Sequence, residues 1–167
     1  MIKEIETIRE ISSRNEHIIQ LAEEANELAI AAFEFSNSCK FDDGSYDEAE
    51  ANLIEEIADV KLCIDIIGDY NNNIIAYESS IPTEQLLEIL MVSCCMLSKS
   101  AIKYRRTLVK DTNPTPVTEE EAESKLIEMI TNIKSCINSI GNYWDSEVVN
   151  DIYKEKAIRC INRFSKN

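Results

Sequence analysis

Two short acidic runs stand out in this chain as residues able to do chemistry: Glu23-Glu24-Ala25-Asn26-Glu27 and Glu55-Glu56-Ile57-Ala58-Asp59. Apolar residues recur around each at helical spacing, with Leu21, Ala25, Leu28 and Ala32 on the first and Leu53, Ile57, Val60 and Ile64 on the second. At about 100° per residue, Glu24 and Glu56 fall roughly 60° to the same side of their apolar stripes, and Glu27 and Asp59 roughly 120°. Each helix thus presents a carboxylate pair at i and i+3 on the flank of its core stripe. Glu23 and Glu55 point nearly opposite the stripe and are expected in solvent. Four carboxylates converging from two helices repel one another. Hard divalent cations that prefer oxygen ligands, Mg²⁺ first and Mn²⁺ as the alternative, remove that repulsion. The competing reading is a solvated acidic face, but few Lys or Arg lie close by in sequence to pair with it.

The elements that must position these acids read as helices. The 167 residues contain only three Gly and three Pro, too few for the tight turns of an all-β domain, and 44% are hydrophobic, enough for one core. The spacing predicts a single all-α domain over 1–167, a bundle of about six helices. They are expected over about 2–12, 15–35, 45–68, 82–110, 118–141 and 146–164. Cys39 to Gly44 and Asp111 to Pro116 are expected as loops. Ser45-Tyr46-Asp47-Glu48 and Thr118-Glu119-Glu120-Glu121 both fit a capping box.

Those two boxes introduce a repeat. Glu48–Tyr70 aligns without a gap on Glu121–Tyr143, and the identities include Glu48/Glu121, Leu53/Leu126, Lys61/Lys134, Cys63/Cys136, Gly68/Gly141 and Tyr70/Tyr143. The preceding helices match in pattern with Leu28 set against Leu97. We read a tandem duplication of a helical hairpin, repeat 1 about 15–70 and repeat 2 about 83–143, expected to pack as a pseudo-dimer, followed by a basic helix of about 146–165. In repeat 2 the positions of Glu24, Glu27, Glu56 and Asp59 hold Ser93, Met96, Met129 and Asn132, while Glu48, Glu50 and Glu55 still face Glu residues. Loss of all four converging acids is what a functional cluster shows when one copy becomes dispensable.

Composition excludes some partners. The net charge of −14 argues against duplex nucleic acid, whose phosphates need Lys and Arg in excess. One small phosphorylated ligand can still reach an acidic protein through divalent cations. The first residues, Met1-Ile2-Lys3-Glu4-Ile5-Glu6, lack the apolar core of a signal segment, and the apolar runs look too short to span a membrane. The six cysteines show no CxxC spacing and a single His is present, so buried free thiols in a reduced, cytoplasmic setting are expected rather than a zinc site.

Glu23-Glu24-x-x-Glu27 followed by Glu56-x-x-Asp59 resembles the EExxE…ExxD signature of the MazG-like nucleoside triphosphate pyrophosphohydrolases, an all-α superfamily. Ile152-x-x-x-Lys156-x-x-Arg159-x-x-x-Arg163 looks like the basic tail of bacterial and phage members. The resemblance implies hydrolysis of a nucleoside triphosphate to the monophosphate and pyrophosphate. By position, Glu24, Glu27, Glu56 and Asp59 would hold Mg²⁺, with Glu24 or Glu27 as base towards water. Lys156, Arg159, Arg163, Lys40 and Gln20 would contact substrate. Family members often share sites between subunits, so a homodimer stays open, although the degenerate repeat can take the partner's role. Two other readings also stay open: a degenerate member that binds metal or nucleotide without turnover, and a helical interaction module. Phe33, Tyr104 and Trp144 are candidates to stack a base, and His17 to line a base pocket, each weighed against an ordinary structural role.

Overall fold

The computed structural model describes residues 2–41, 44–68, 81–109, 116–141 and 146–164. Among them are six helices and no strand: α1 (Ile2–Ile11), α2 (Arg14–Lys40), α3 (Tyr46–Ile67), α4 (Thr83–Leu108), α5 (Glu119–Ile140) and α6 (Ser146–Phe164). The protein is an all-α bundle. Tyr70, Tyr143 and Trp144, and most of the 111–116 loop, lie outside the described residues.

Local chemistry sets the helix ends. Thr118 forms its expected capping box, its hydroxyl accepting from the Glu121 N–H at 3.2 Å and the Glu121 carboxylate accepting from the Thr118 N–H at 3.0 Å. Ser13 and Glu16 form another that the sequence reading passed over. Ser45 does not cap as expected. Its backbone is already helical at φ −86° and ψ 0°, and its side chain makes no capping bond; the extended backbone that aims a hydroxyl at the N3 N–H is missing. α2 also runs past its expected end near Phe35, through Cys39 and Lys40, because Phe35, Ser36 and Ser38 are still buried, and it ends where the backbone of Phe41 turns extended at φ −118° and ψ 117°.

α2 and α4 form the antiparallel centre. Lys40 at the end of α2 pairs with Glu84 at the start of α4, and the Arg14 guanidinium at the other end lies over the Tyr104 ring at 5.6 Å. α3 packs on α2 and α5 on α4, the order expected of two hairpins joined through their first helices. The repeat register extends to burial. Ala49/Ala122, Leu53/Leu126, Ile57/Ile130, Val60/Ile133, Cys63/Cys136, Ile64/Ile137 and Ile67/Ile140 are all buried, as are Leu21/Leu90, Ala25/Cys94, Leu28/Leu97 and Ala32/Ala101.

α4 differs from the expectation about apolar runs: by length and composition it is apolar enough to cross a membrane. Its place at the centre accounts for that apolarity, since Leu86, Leu87, Leu90, Cys94, Leu97 and Ala101 all join the main core. The thiols divide: Cys63, Cys94 and Cys136 are buried, Cys160 is half-buried, and Cys39 and Cys95 are exposed, against the expectation of burial.

α3 carries a second apolar face. Ala58, Leu62 and Ile66 join Ile5 and Ile8 of α1 and Tyr153 and Ala157 of α6 in a smaller core. Two polar contacts fix this layer: the Tyr153 hydroxyl donates to Asp65 Oδ2 at 2.8 Å, and Arg9 Nε donates to the Ile66 carbonyl at 3.0 Å. This docking lays the basic face of α6 beside the acids of α3.

Candidate functional site

α2, α3 and α6 enclose a cleft of about 640 Å³. Glu24, Glu27, Glu56, Asp59, Gln20, Lys156, Arg159 and Arg163 all line it. The core stripes of α2 and α3 face each other, so acids on the same flank of each stripe meet at one edge of the helix pair. One carboxylate oxygen from each of Glu24, Glu27 and Glu56 lies within 4.8 Å of the others. Glu24 and Glu56 are half-buried and Glu27 is exposed. Gln20 Nε2 donates to Glu24 Oε1 at 3.3 Å and orients it from one turn away.

Glu56 is the group under most electrostatic stress. Its Oε2 is buried and has no hydrogen-bond partner among the described residues. Burial, and then the charges of Asp59, Glu27 and Glu24, push its carboxyl up to about 7. Burial, followed by Asp59, also raises Glu24, with the Gln20 hydrogen bond opposing. A buried, unpartnered carboxylate oxygen beside two further carboxylates is a donor set of oxygens alone, which fits a hard divalent cation.

Asp59 departs from the expected set of four. It lines the cleft but is absent from the convergent trio, because its carboxylate is taken by Lys156. Lys156 Nζ donates to Asp59 Oδ2 and, at 2.9 Å, to Glu55 Oε1. The Lys156 side chain is 11% exposed, against 20% for Asp59 and 48% for Glu55. Burial works to lower the Lys156 pKa, but the two carboxylates outweigh it and hold the ammonium charged. Glu55 is exposed, as expected, and its bond to Lys156 holds it below the usual carboxylate range. Asp59, more enclosed, is raised by burial despite Lys156. Glu23 is exposed and lies along the cleft wall.

Other expected residues lie elsewhere. Lys40 is outside the cleft, with Nζ 2.7 Å from Glu84 Oε1. It lies thirteen positions from Glu27, about 20 Å along a helix, because α2 continues where a loop was expected. Tyr104 is 1% exposed and its hydroxyl donates to Glu123, so its ring is in the core. Phe33 is exposed but lines no part of the cleft. His17 is buried and shares a hydrogen bond with Ser12, in a small separate pocket with Arg9 and Arg14. In repeat 2, Met129 is 4% exposed and the Ser93 hydroxyl lies 3.9 Å from the Cys136 thiol. Ile19, Leu62 and Ile66, with Cys63 and Cys160, also line the cleft, an apolar contribution that motif reading missed. The alignment held a signal for it: Ala58, Leu62 and Ile66 face Thr131, Ser135 and Ser139, an i, i+4, i+8 stripe that is apolar in one copy only.

No protein-family model, curated protein or solved structure matches the chain.

Proposed function

We propose that the protein is a divalent-metal-dependent nucleoside triphosphate pyrophosphohydrolase of the MazG-like kind, converting a (d)NTP and water to the (d)NMP and pyrophosphate. The observation that carries this reading is the meeting of three carboxylates, one with a buried unpartnered oxygen, and three tail cations in one cleft. Acids alone suit a metal; acids facing Lys156, Arg159 and Arg163 suit a metal together with a polyphosphate.

Glu24, Glu27 and Glu56 would hold Mg²⁺, which when bound supplies Lewis-acid polarisation of phosphate oxygens and a more acidic water. Glu24 is assigned as the base. Gln20 orients it, donating to Oε1 at 3.3 Å. It takes one proton from water as the water oxygen bonds to the α-phosphorus and the bond to the β-phosphoryl oxygen breaks. Arg159 and Arg163 face the leaving pyrophosphate and offset its charge. Ile19, half-buried on the cleft wall, gives the nucleoside an apolar surface to cover.

The test is pyrophosphate release from a panel of dNTPs and NTPs with Mg²⁺ or Mn²⁺. Release from at least one, abolished by EDTA, supports the reading. Metal binding with no release from any nucleotide replaces it with binding without turnover, a reading that the capture of Asp59 by Lys156 favours.

A further inference from the structure

We propose that Lys156 is a built-in counter-ion that withholds Asp59 from the metal cluster until a polyphosphate draws it away. The cleft then holds one divalent cation before substrate arrives and gains the ligand for a second only afterwards. The inference rests on the carboxylate trio being a metal site, as proposed above.

The geometry separates the acids into two groups. Glu24, Glu27 and Glu56 share a point, and among the described residues the only hydrogen bond to their oxygens comes from the neutral Gln20 amide. Asp59 and Glu55, one turn apart on α3, share the Lys156 ammonium instead. An ammonium and a divalent cation compete for the same carboxylate oxygens and repel each other, so while Lys156 is in place Asp59 is a poor metal ligand. The Lys156 side chain is 11% exposed and that of Asp59 20%, so water screens the pair only in part.

The same helix holds the means of release. The backbone of α6 is fixed by Tyr153 and Ala157, 3% and 1% exposed, and only the flexible Lys156 stem is left to move. Arg159 and Arg163 lie about one and two turns further along the same face and line the cleft. A triphosphate held by those guanidiniums brings anionic oxygens within reach of Nζ. The ammonium then exchanges one set of oxygen acceptors for another of greater charge. Asp59 is left beside Glu56 without its cation, and a second divalent ion replaces it. Polyphosphate binding and the second metal are thereby linked, each favouring the other.

The test is Mn²⁺ titration of the metal-free protein, with free Mn²⁺ read by electron paramagnetic resonance and no nucleotide present. Wild type is expected to bind one ion per chain. Asp59→Asn is expected to keep that number, with affinity within about threefold, whereas loss of a true ligand lowers metal affinity about tenfold or more. Lys156→Met is expected to bind two ions, and Lys156→Met with Asp59→Asn to return to one. Two ions on wild type, a tenfold loss in Asp59→Asn, or one ion on Lys156→Met would each overturn the inference while leaving the metal site standing. No ion on wild type or on Lys156→Met overturns both. A tenfold loss in Asp59→Asn overturns the inference even where Lys156→Met does not fold.

Discussion

Replacing Glu56 by Gln separates a functional acid from a structural one, because the two make opposite predictions for the metal-free protein. In the folded chain the Glu56 carboxyl is pushed from its ordinary 4.5 to about 7, burial being the largest cause and the neighbouring acids the next. That displacement corresponds to roughly 3 kcal/mol against the ionised form. Water in the cleft screens part of it, since the side chain is only half-buried, leaving about 1–2 kcal/mol. The native state holds its proton more tightly than the unfolded chain between pH 4.5 and about 7. This contribution is therefore fully present below pH 4.5 and is lost as pH rises through about 7. A Gln carries no charge at any pH. In EDTA at pH 8, Glu56→Gln should melt roughly 2–8 °C above wild type, from about 2–4 °C per kcal/mol at this chain length. At pH 4.5 the two should melt nearly together, because Glu56 is then protonated. Added Mg²⁺ should raise wild type by about 2.7 kcal/mol at a hundredfold excess over its Kd and leave the variant almost unmoved. Thermal melts at both pH values, with and without Mg²⁺, make the comparison. A variant less stable than wild type at pH 8 in EDTA, or stabilised equally by Mg²⁺, would refute the reasoning.

The remaining predictions concern the cations and one helix cap. Arg159→Ala and Arg163→Ala should each raise KM for nucleotide about 10- to 100-fold, the loss of a charged hydrogen bond, with Mn²⁺ binding in the absence of nucleotide unchanged; Lys40→Ala should change neither, and steady-state kinetics beside Mn²⁺ titration read all three. Thr118→Ala should destabilise the fold by about 1 kcal/mol in urea melts through loss of its side-chain cap bond to the Glu121 N–H.

Helical period made much of this molecule legible from its sequence. The stripes through Leu21, Ala25 and Leu28 and through Leu53, Ile57 and Val60 are the core, and the flank positions of Glu24, Glu27 and Glu56 follow by rotation alone. Rotation says which way a side chain leaves its helix and nothing of what a distant helix brings against it. Asp59 leaves α3 as expected, yet its partner is Lys156, 97 positions away on an element whose docking depends on Tyr153 and Ala157. The error over Lys40 has a similar source. A loop from Cys39 would fold it back toward the acids, but burial of Ser36 and Ser38 carries α2 onward. The Ser45 box shows that a matching tetrapeptide is only permissive, since the backbone angle at the cap residue decides whether the hydroxyl can reach.

The difference between the two copies has a physical logic that also explains why one site is expected rather than two. On α3 the stripe Ala58, Leu62, Ile66 is apolar and is covered by α1 and α6. On α5 the aligned stripe is Thr131, Ser135, Ser139, and each hydroxyl donates to a carbonyl of its own helix at 2.9 Å. Neither α1 nor α6 packs on α5 beyond an isolated contact. So α6, and with it Lys156, Arg159 and Arg163, serves one hairpin only. Half-buried acids persist where cations offset them, and without such cover Glu24, Glu56 and Asp59 would repel one another and lower stability. At the aligned places of the uncovered hairpin stand Ser93, Met96, Met129 and Asn132, and Met129 is free to be 4% exposed because it carries no charge. The docking of α6 thus sets both which copy can keep its acids and which can fill the same positions with core.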